Sequence, residues 1–158
     1  MTSKGRLWLL PLLTASFVLG GCGGSGSNAL VNVAYNSKLK TKILVDPKGM
    51  TLYLWDTETN GRPDCFDDAA YHCSRAWVPL RSTKTPSAGK GVDKSLLSTV
   101  KRKDGDPQVR YHGHPLYTDA GSPSAGLNGD KKPGDVNGQG FYYWYAVSPK
   151  GGAVKNIP

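Results

Sequence analysis

Large apolar and aromatic residues gather along this chain in short runs bounded by turn residues, the pattern expected of strands. Residues 42–46 predict a strand. Pro47-Lys48-Gly49 supplies turn chemistry, with proline presetting φ and glycine taking the left-handed position. Residues 50–55 return as a second strand. Met50, Leu52 and Leu54 alternate with Tyr53 and Trp55, so both faces of that strand carry large side chains and both are expected to be covered. Further on, residues 100–103, 108–111 and 114–118 predict a meander, turning at Asp104-Gly105 and at His112-Gly113. Residues 141–147, rich in aromatics, predict a closing strand. Residues 119–140, with six glycines, read as a long irregular loop. Trp77, before Pro79, reads as a core plug, and residues 67–71 as the start of a short helix with acids at its positive end.

One unit recurs. Val45, Gly49, Leu52 and Tyr53 reappear 64 residues later as Val109, Gly113, Leu116 and Tyr117. The expected fold is therefore mainly β: an antiparallel meander, small sandwich or barrel built from two divergent hairpin repeats, with one short helix near a cysteine pair.

The amino terminus has a different character. Lys4 and Arg6 precede an apolar run at residues 7–19 that is too short to span a bilayer comfortably, the form of a secretory leader. It ends in Leu19-Gly20-Gly21-Cys22. An aliphatic residue, two small residues and a cysteine make a lipobox, in which the thiol accepts lipid and Cys22 becomes the first residue after cleavage. Residues 1–21 are thus expected to be a lipoprotein signal peptide and residues 22–36 a lipidated cysteine with a flexible tether. Residues 37–150 would form the two-repeat domain and residues 151–158 a tail. The expected location is the bacterial cell envelope, anchored on the periplasmic side of a membrane or at the cell surface, with membrane lipid bound through acylated Cys22.

Charge and cysteine content fit export. Removing the leader takes two of the formal +8 charges. The remaining basic excess is local, at Lys38, Lys40 and Lys42, at Lys101-Arg102-Lys103, and at Lys131-Lys132, where solubility or an anionic envelope surface explains it. Nucleic acid is not an expected partner of an exported, lipidated chain. With Cys22 assigned to lipid, Cys65 and Cys73 remain as a pair expected to be oxidised. A metal site is the alternative, whereas haem attachment would need a Cys-x-x-Cys-His run that is absent.

Several of these segments resemble the small bacterial predicted lipoproteins with a Tyr-x-aromatic-x-x-Asp motif, also described as a secreted repeat of unknown function. The matching stretches are residues 44–56, residues 76–80, Gly113-His114-Pro115-Leu116-Tyr117, residues 132–140 and residues 144–149. The resemblance marks Tyr53, Trp55, Glu58, Trp77, Gly134, Asp135 and Gly138 as motif residues along with residues 113–117. Glu58 stands at the motif's aspartate, Asp119 stands where the second copy would have an aromatic, and an insertion separates Tyr117 from Asp130. The resemblance implies a location and a fold more than an activity.

Candidate chemistry is sparse. His112 and His114, joined by His72, could ligate copper or zinc. Asp130, Asp135 and Asn137 are oxygen donors in a glycine-rich loop, but their spacing is not that of an EF-hand, and Asx turns explain them. No Gly-x-Ser-x-Gly surrounds any serine, and nothing argues for an enzyme. Tyr142, Trp144 and Tyr145 form a candidate aromatic binding surface. The expected function is a lipid-anchored, non-catalytic binding or scaffolding module for an envelope protein or small ligand. The alternative is an envelope metal- or redox-associated protein using His112 and His114.

Overall fold

The computed structural model describes residue 1, residues 28–68 and residues 72–158. The leader and Cys22 lie outside the described residues. The fold is mainly β, with antiparallel sheets and, among the described residues, no closed barrel. Strands β1 (Asn32–Asn36) and β2 (Thr41–Val45) pair as one hairpin. Strands β3 (Tyr53–Trp55), β4 (Trp77–Pro79), β8 (Tyr117–Asp119) and β9 (Trp144–Ala146) make a four-stranded sheet in the order β4-β8-β3-β9. Strands β5 (Leu97–Arg102), β6 (Gly105–Tyr111) and β7 (His114–Pro115) make a third sheet. The short helix α1 (Cys73–Ala76) starts at the cysteine pair, and residues 69–71 of the expected helix start lie outside the described residues.

The two repeats interleave. The central sheet alternates between halves: β4 and β3 come from the first repeat, β8 and β9 from the second. Tyr53 pairs directly with Tyr117 at the centre, which marks a pseudo-twofold axis. On one side Trp77 pairs with Asp119 and Pro79 with Tyr117; on the other Trp144 pairs with Trp55 and Ala146 with Tyr53. The backbone bonds repeat as well. Leu52 N donates to Leu44 O and Leu116 N to Val109 O; Val147 N donates to Leu52 O and Leu80 N to Leu116 O.

This register corrects the repeat alignment before the turn. Leu44, not Val45, is the counterpart of Val109, and both are fully buried. Val45 bridges Thr51 as Arg110 pairs with Pro115, so Val45 corresponds to Arg110. The cause is turn length. Pro47-Lys48-Gly49 separates Asp46 from Met50, whose O accepts from Asp46 N, whereas His112-Gly113 alone separates Tyr111 from its partner His114. Both turns end on a left-handed glycine, Gly49 at φ 80° and Gly113 at φ 85°.

Other expected boundaries move. The first hairpin partner of β2 is β1, inside the stretch read as a tether, while residues 50–55 stay bonded to β2 only as far as Leu52 and then enter the central sheet. Residues 151–158 are not a loose tail: Val147 bridges Ala153, Val154 is buried, and Asn156 Nδ2 donates to Leu39 O. The folded unit thus begins before residue 37 and runs past residue 150. The turn between β5 and β6 falls at Lys103-Asp104, one residue early. Residues 141–147 form a strand only from Trp144, because the backbone turns left-handed at Tyr142 and Tyr143. The loop 119–140 is ordered by Asp130 N donating to Asp119 O and by a Ser122–Leu127 bridge.

Alternation along β3 and its approach buries both sheet faces. Tyr53 joins Trp77, Tyr117 and Trp144 in one apolar cluster, while Leu52 and Leu54 join Leu44, Val109, Leu116 and Val147 in the other. Trp77 and Trp144 stack across the axis with centroids 4.0 Å apart, and Tyr53 and Tyr117 meet them edge-on at 5.4 and 4.9 Å. Cys65 and Cys73 form a disulfide with Cα atoms 5.2 Å apart. Closing so short a loop contributes about 2–3 kcal/mol by chain entropy. Arg102, with its side chain fully buried, ties this loop to the second repeat: it donates to Cys65 O and Gln108 Oε1 and pairs with Asp104.

Candidate functional site

Two buried carboxyl groups meet the two central tyrosines. Tyr117 OH donates to Glu58 Oε1 at 2.7 Å, and Tyr53 OH donates to Asp130 Oδ2 at 2.9 Å. Each tyrosine therefore reaches the acid of the other repeat. The acids are held alike: Glu58 Oε1 also accepts from Asp64 N and Asp130 Oδ1 from Asn137 N, while Glu58 N donates to Trp55 O and Asp130 N to Asp119 O. The apparent insertion before Asp130 is thus an excursion that returns the acid to its symmetric place.

Burial pushes Glu58 up to about 7, against the lowering effect of the Asp64 N–H, the Tyr117 hydroxyl and the Cys65 N–H. Oε2 of Glu58 makes no hydrogen bond of good geometry. Burial also raises Asp130, and with the neighbouring Asp130 charge it raises Asp119 to about 6. Both phenols are pushed upward by burial and by these carboxylates.

The remaining motif residues serve the same core. Trp55 stacks on Trp144 with centroids 5.4 Å apart. A Cβ on Gly138 would stand 2.4 Å from the Trp77 ring and 2.9 Å from Asp119 Oδ2, so only glycine fits there. Gly134 takes φ 86°, and Asp135 Oδ2 accepts from Lys131 N and Lys132 N, which precede it in the chain, so the aspartate ties down the loop from behind and does not form the Asx turn expected there. Pro115 and Leu116 are buried beside Tyr117. Asp130 Oδ1, Asp135 Oδ2 and Asn137 Nδ2 each bond a backbone group, so these side chains brace the glycine-rich loop.

The histidines separate. His72 Nδ1 lies 2.6 Å from Asp67 Oδ1, while Arg75 Nε donates to Asp67 Oδ2, beside the disulfide. His112 and His114 instead line an open cleft of about 300 Å³ with Glu58, Asn60, Gly61 and Arg110. His112 occupies the turn with φ 51°, and His114 follows on β7. Burial, then the neighbouring His112, lowers the pKa of His114, while Asp56 opposes this. Among the described residues no three of His, Cys, Asp and Glu are grouped to hold a metal ion.

The aromatic surface is also redistributed. Trp144 is buried in the core and offers nothing to solvent. Tyr145 is half-buried beneath the Lys155 ammonium, 3.7 Å from its ring centre. Tyr142 and Tyr143 are the exposed pair, at 74% and 62%. Both adopt left-handed backbone, φ 41° and 71°. Trp55 Nε1 donates to Tyr142 O and Asp56 N to Tyr143 O, which pins this turn to the end of β3.

Sequence reasoning passed over Arg110 and Tyr143. Arg110 becomes conspicuous only once the turn lengths are aligned and valine is seen to be its counterpart. Tyr143 has no local signal, since tyrosine is not a left-handed residue. Compared with known protein families, curated proteins and solved structures, the chain matches none.

Proposed function

We propose that this chain is a lipid-anchored, non-catalytic binding module of the bacterial cell envelope, tethered through Cys22 and presenting Tyr142 and Tyr143 to an envelope component. The observation that carries the binding surface is the pair of adjacent exposed tyrosines in left-handed backbone. Each such residue costs on the order of 1–2 kcal/mol, and the conformation persists only where neighbours hold it. Trp55 and Asp56 supply that hold, so the two rings stand preorganised outside the core. Rigid exposed aromatics of this kind are the usual anchors of interfaces. The groups best suited to acid–base chemistry, Glu58 and Asp130, are engaged in matching structural bonds on both sides of the axis, which supports a non-catalytic role. The anchor rests on the lipobox, and the partner class is an envelope protein or small ligand rather than nucleic acid.

Two measurements test this. Cys22→Ser protein is expected to lose its acyl label and to be released from membranes by a high-salt wash without detergent; continued acylation would overturn the anchor. The released Cys22→Ser chain is expected to bind washed envelopes, and Tyr142→Ala/Tyr143→Ala in that background to bind about tenfold more weakly. Equal binding by both chains would overturn the aromatic surface.

A further inference from the structure

The pseudo-twofold axis distinguishes side chains that both repeats need from those that one repeat adds. Tyr53 and Tyr117, Trp77 and Trp144, and Glu58 and Asp130 are matched. Arg110 is not: its counterpart Val45 is buried in the core. Beyond the turn, His114 stands where the first repeat has Met50, and His112 precedes the shared glycine where the first repeat has Lys48.

The space around these positions differs in the same way. In the first repeat Pro133 lies against the Gly49 turn, 3.2 Å from where a Cβ would stand, and Thr51 Oγ1 donates to Asp135 O. In the second repeat Gly61 rests against the Gly113 turn and the cleft stays open beside it. Arg110 reaches into this region. Its Nη1 donates to Gly61 O at 3.3 Å, but its buried Nε has no hydrogen-bond partner, and it forms no ion pair among the described residues. A guanidinium keeps its charge at any ordinary pH, and with no carboxylate paired to it among the described residues, its terminal nitrogens at the cleft are left for a ligand anion to balance. The two imidazoles beside it can each present an N–H, and arginine's planar fork suits the paired oxygens of a carboxylate or phosphate.

We propose that the cleft between residues 58–61 and the β6–β7 turn binds a small oxyanion, the carboxylate or phosphate group of an envelope ligand, with Arg110 as central donor and His112 and His114 flanking it. Glu58 at the cleft does not veto an anion: its Oε1 is engaged by Tyr117 and Asp64, and burial pushes its pKa up to about 7, so a protonated form is well populated at neutral pH. Asp56, whose N–H holds Tyr143 O, also acts electrostatically on His114, so the cleft neighbours the tyrosine turn. The proposal goes beyond the aromatic surface and is tested through different residues.

The full-length chain in a non-ionic detergent would be titrated near neutral pH with inorganic phosphate and with acetate, following the Arg110 Nε–H and histidine ring signals by NMR. Phosphatidylglycerol vesicles, with phosphatidylcholine as control, form a separate arm. A saturable shift with phosphate or acetate assigns a soluble oxyanion. A response to anionic vesicles alone, lost in the variant, assigns a lipid headgroup. Arg110→Val installs the first repeat's residue, so it is expected to keep the near-ultraviolet signature of the stacked tryptophans while weakening binding at least about tenfold. Absence of any saturable response, or equal binding by Arg110→Val, overturns the proposal. So does unfolding of that variant, which would make Arg110 a structural residue.

Discussion

Val45 and Arg110 hold the same place in the two halves of this molecule, yet one completes a core and the other borders a cleft. The tyrosine–acid pairs show the opposite behaviour, with near-identical bonding on both sides of the axis. An internal repeat therefore acts as its own control. Where the halves agree, packing and hydrogen-bond satisfaction account for the residue. Where they differ, as at Arg110, His112 and His114, packing alone does not call for the polar side chain.

The largest test of that division is at the stacked tryptophans. Trp77→Ala and Trp144→Ala are each expected to cost about 3–5 kcal/mol, because each empties a core site of large volume. If the halves are equivalent in packing, denaturant titration should find the two costs within about 1 kcal/mol of each other. A gap of several kcal/mol would break the symmetry.

A somewhat smaller effect tests the buried acids through pH. Glu58 is raised from 4.5 to about 7 in the folded state. The folded chain then binds more protons than the unfolded chain between those values, so its stability is present below pH 4.5 and falls as pH rises through 7. The drop from this group is on the order of 3 kcal/mol. Asp119, raised to about 6, adds to it in the same direction. Asp104, held near 2 by Arg102, acts oppositely, and its contribution is lost only as pH falls below 3.8 toward 2. Glu58→Gln should flatten much of the slope between pH 4.5 and 7, and an unchanged slope in that variant would assign it elsewhere.

The smallest effect concerns the turn that only the second repeat carries. Tyr143→Gly relieves a left-handed tyrosine, and thermal unfolding should show stability unchanged or raised by up to about 1 kcal/mol. A clear loss would mean that the ring packs as a core residue, contrary to its exposure.

Much of the fold was legible from local residues. The Pro47-Lys48-Gly49 and His112-Gly113 turns, the cysteine pair, the plug at Trp77 and the duplicated tyrosine all follow from short-range chemistry. The exposed surface was read less well. Trp144 and Tyr145 shared a strand pattern with Tyr142, and only packing shows that Trp144 stacks on Trp77 while Tyr142 and Tyr143 turn outward. The cleft was half visible: His-x-His stood out, but Arg110 was hidden by a one-residue difference in turn length.

The amino-acid sequence alone determined that short strands, left-handed glycine turns and a local sulfur bridge would dominate, because each depends on neighbours along the chain. Only the tertiary structure decided that β4 and β9 cross to the other repeat's central strand, and that each central tyrosine lands on the other repeat's acid. Strand partners are chosen by burial and register between segments far apart in the chain, and a shift of one residue would carry every side chain to the opposite face.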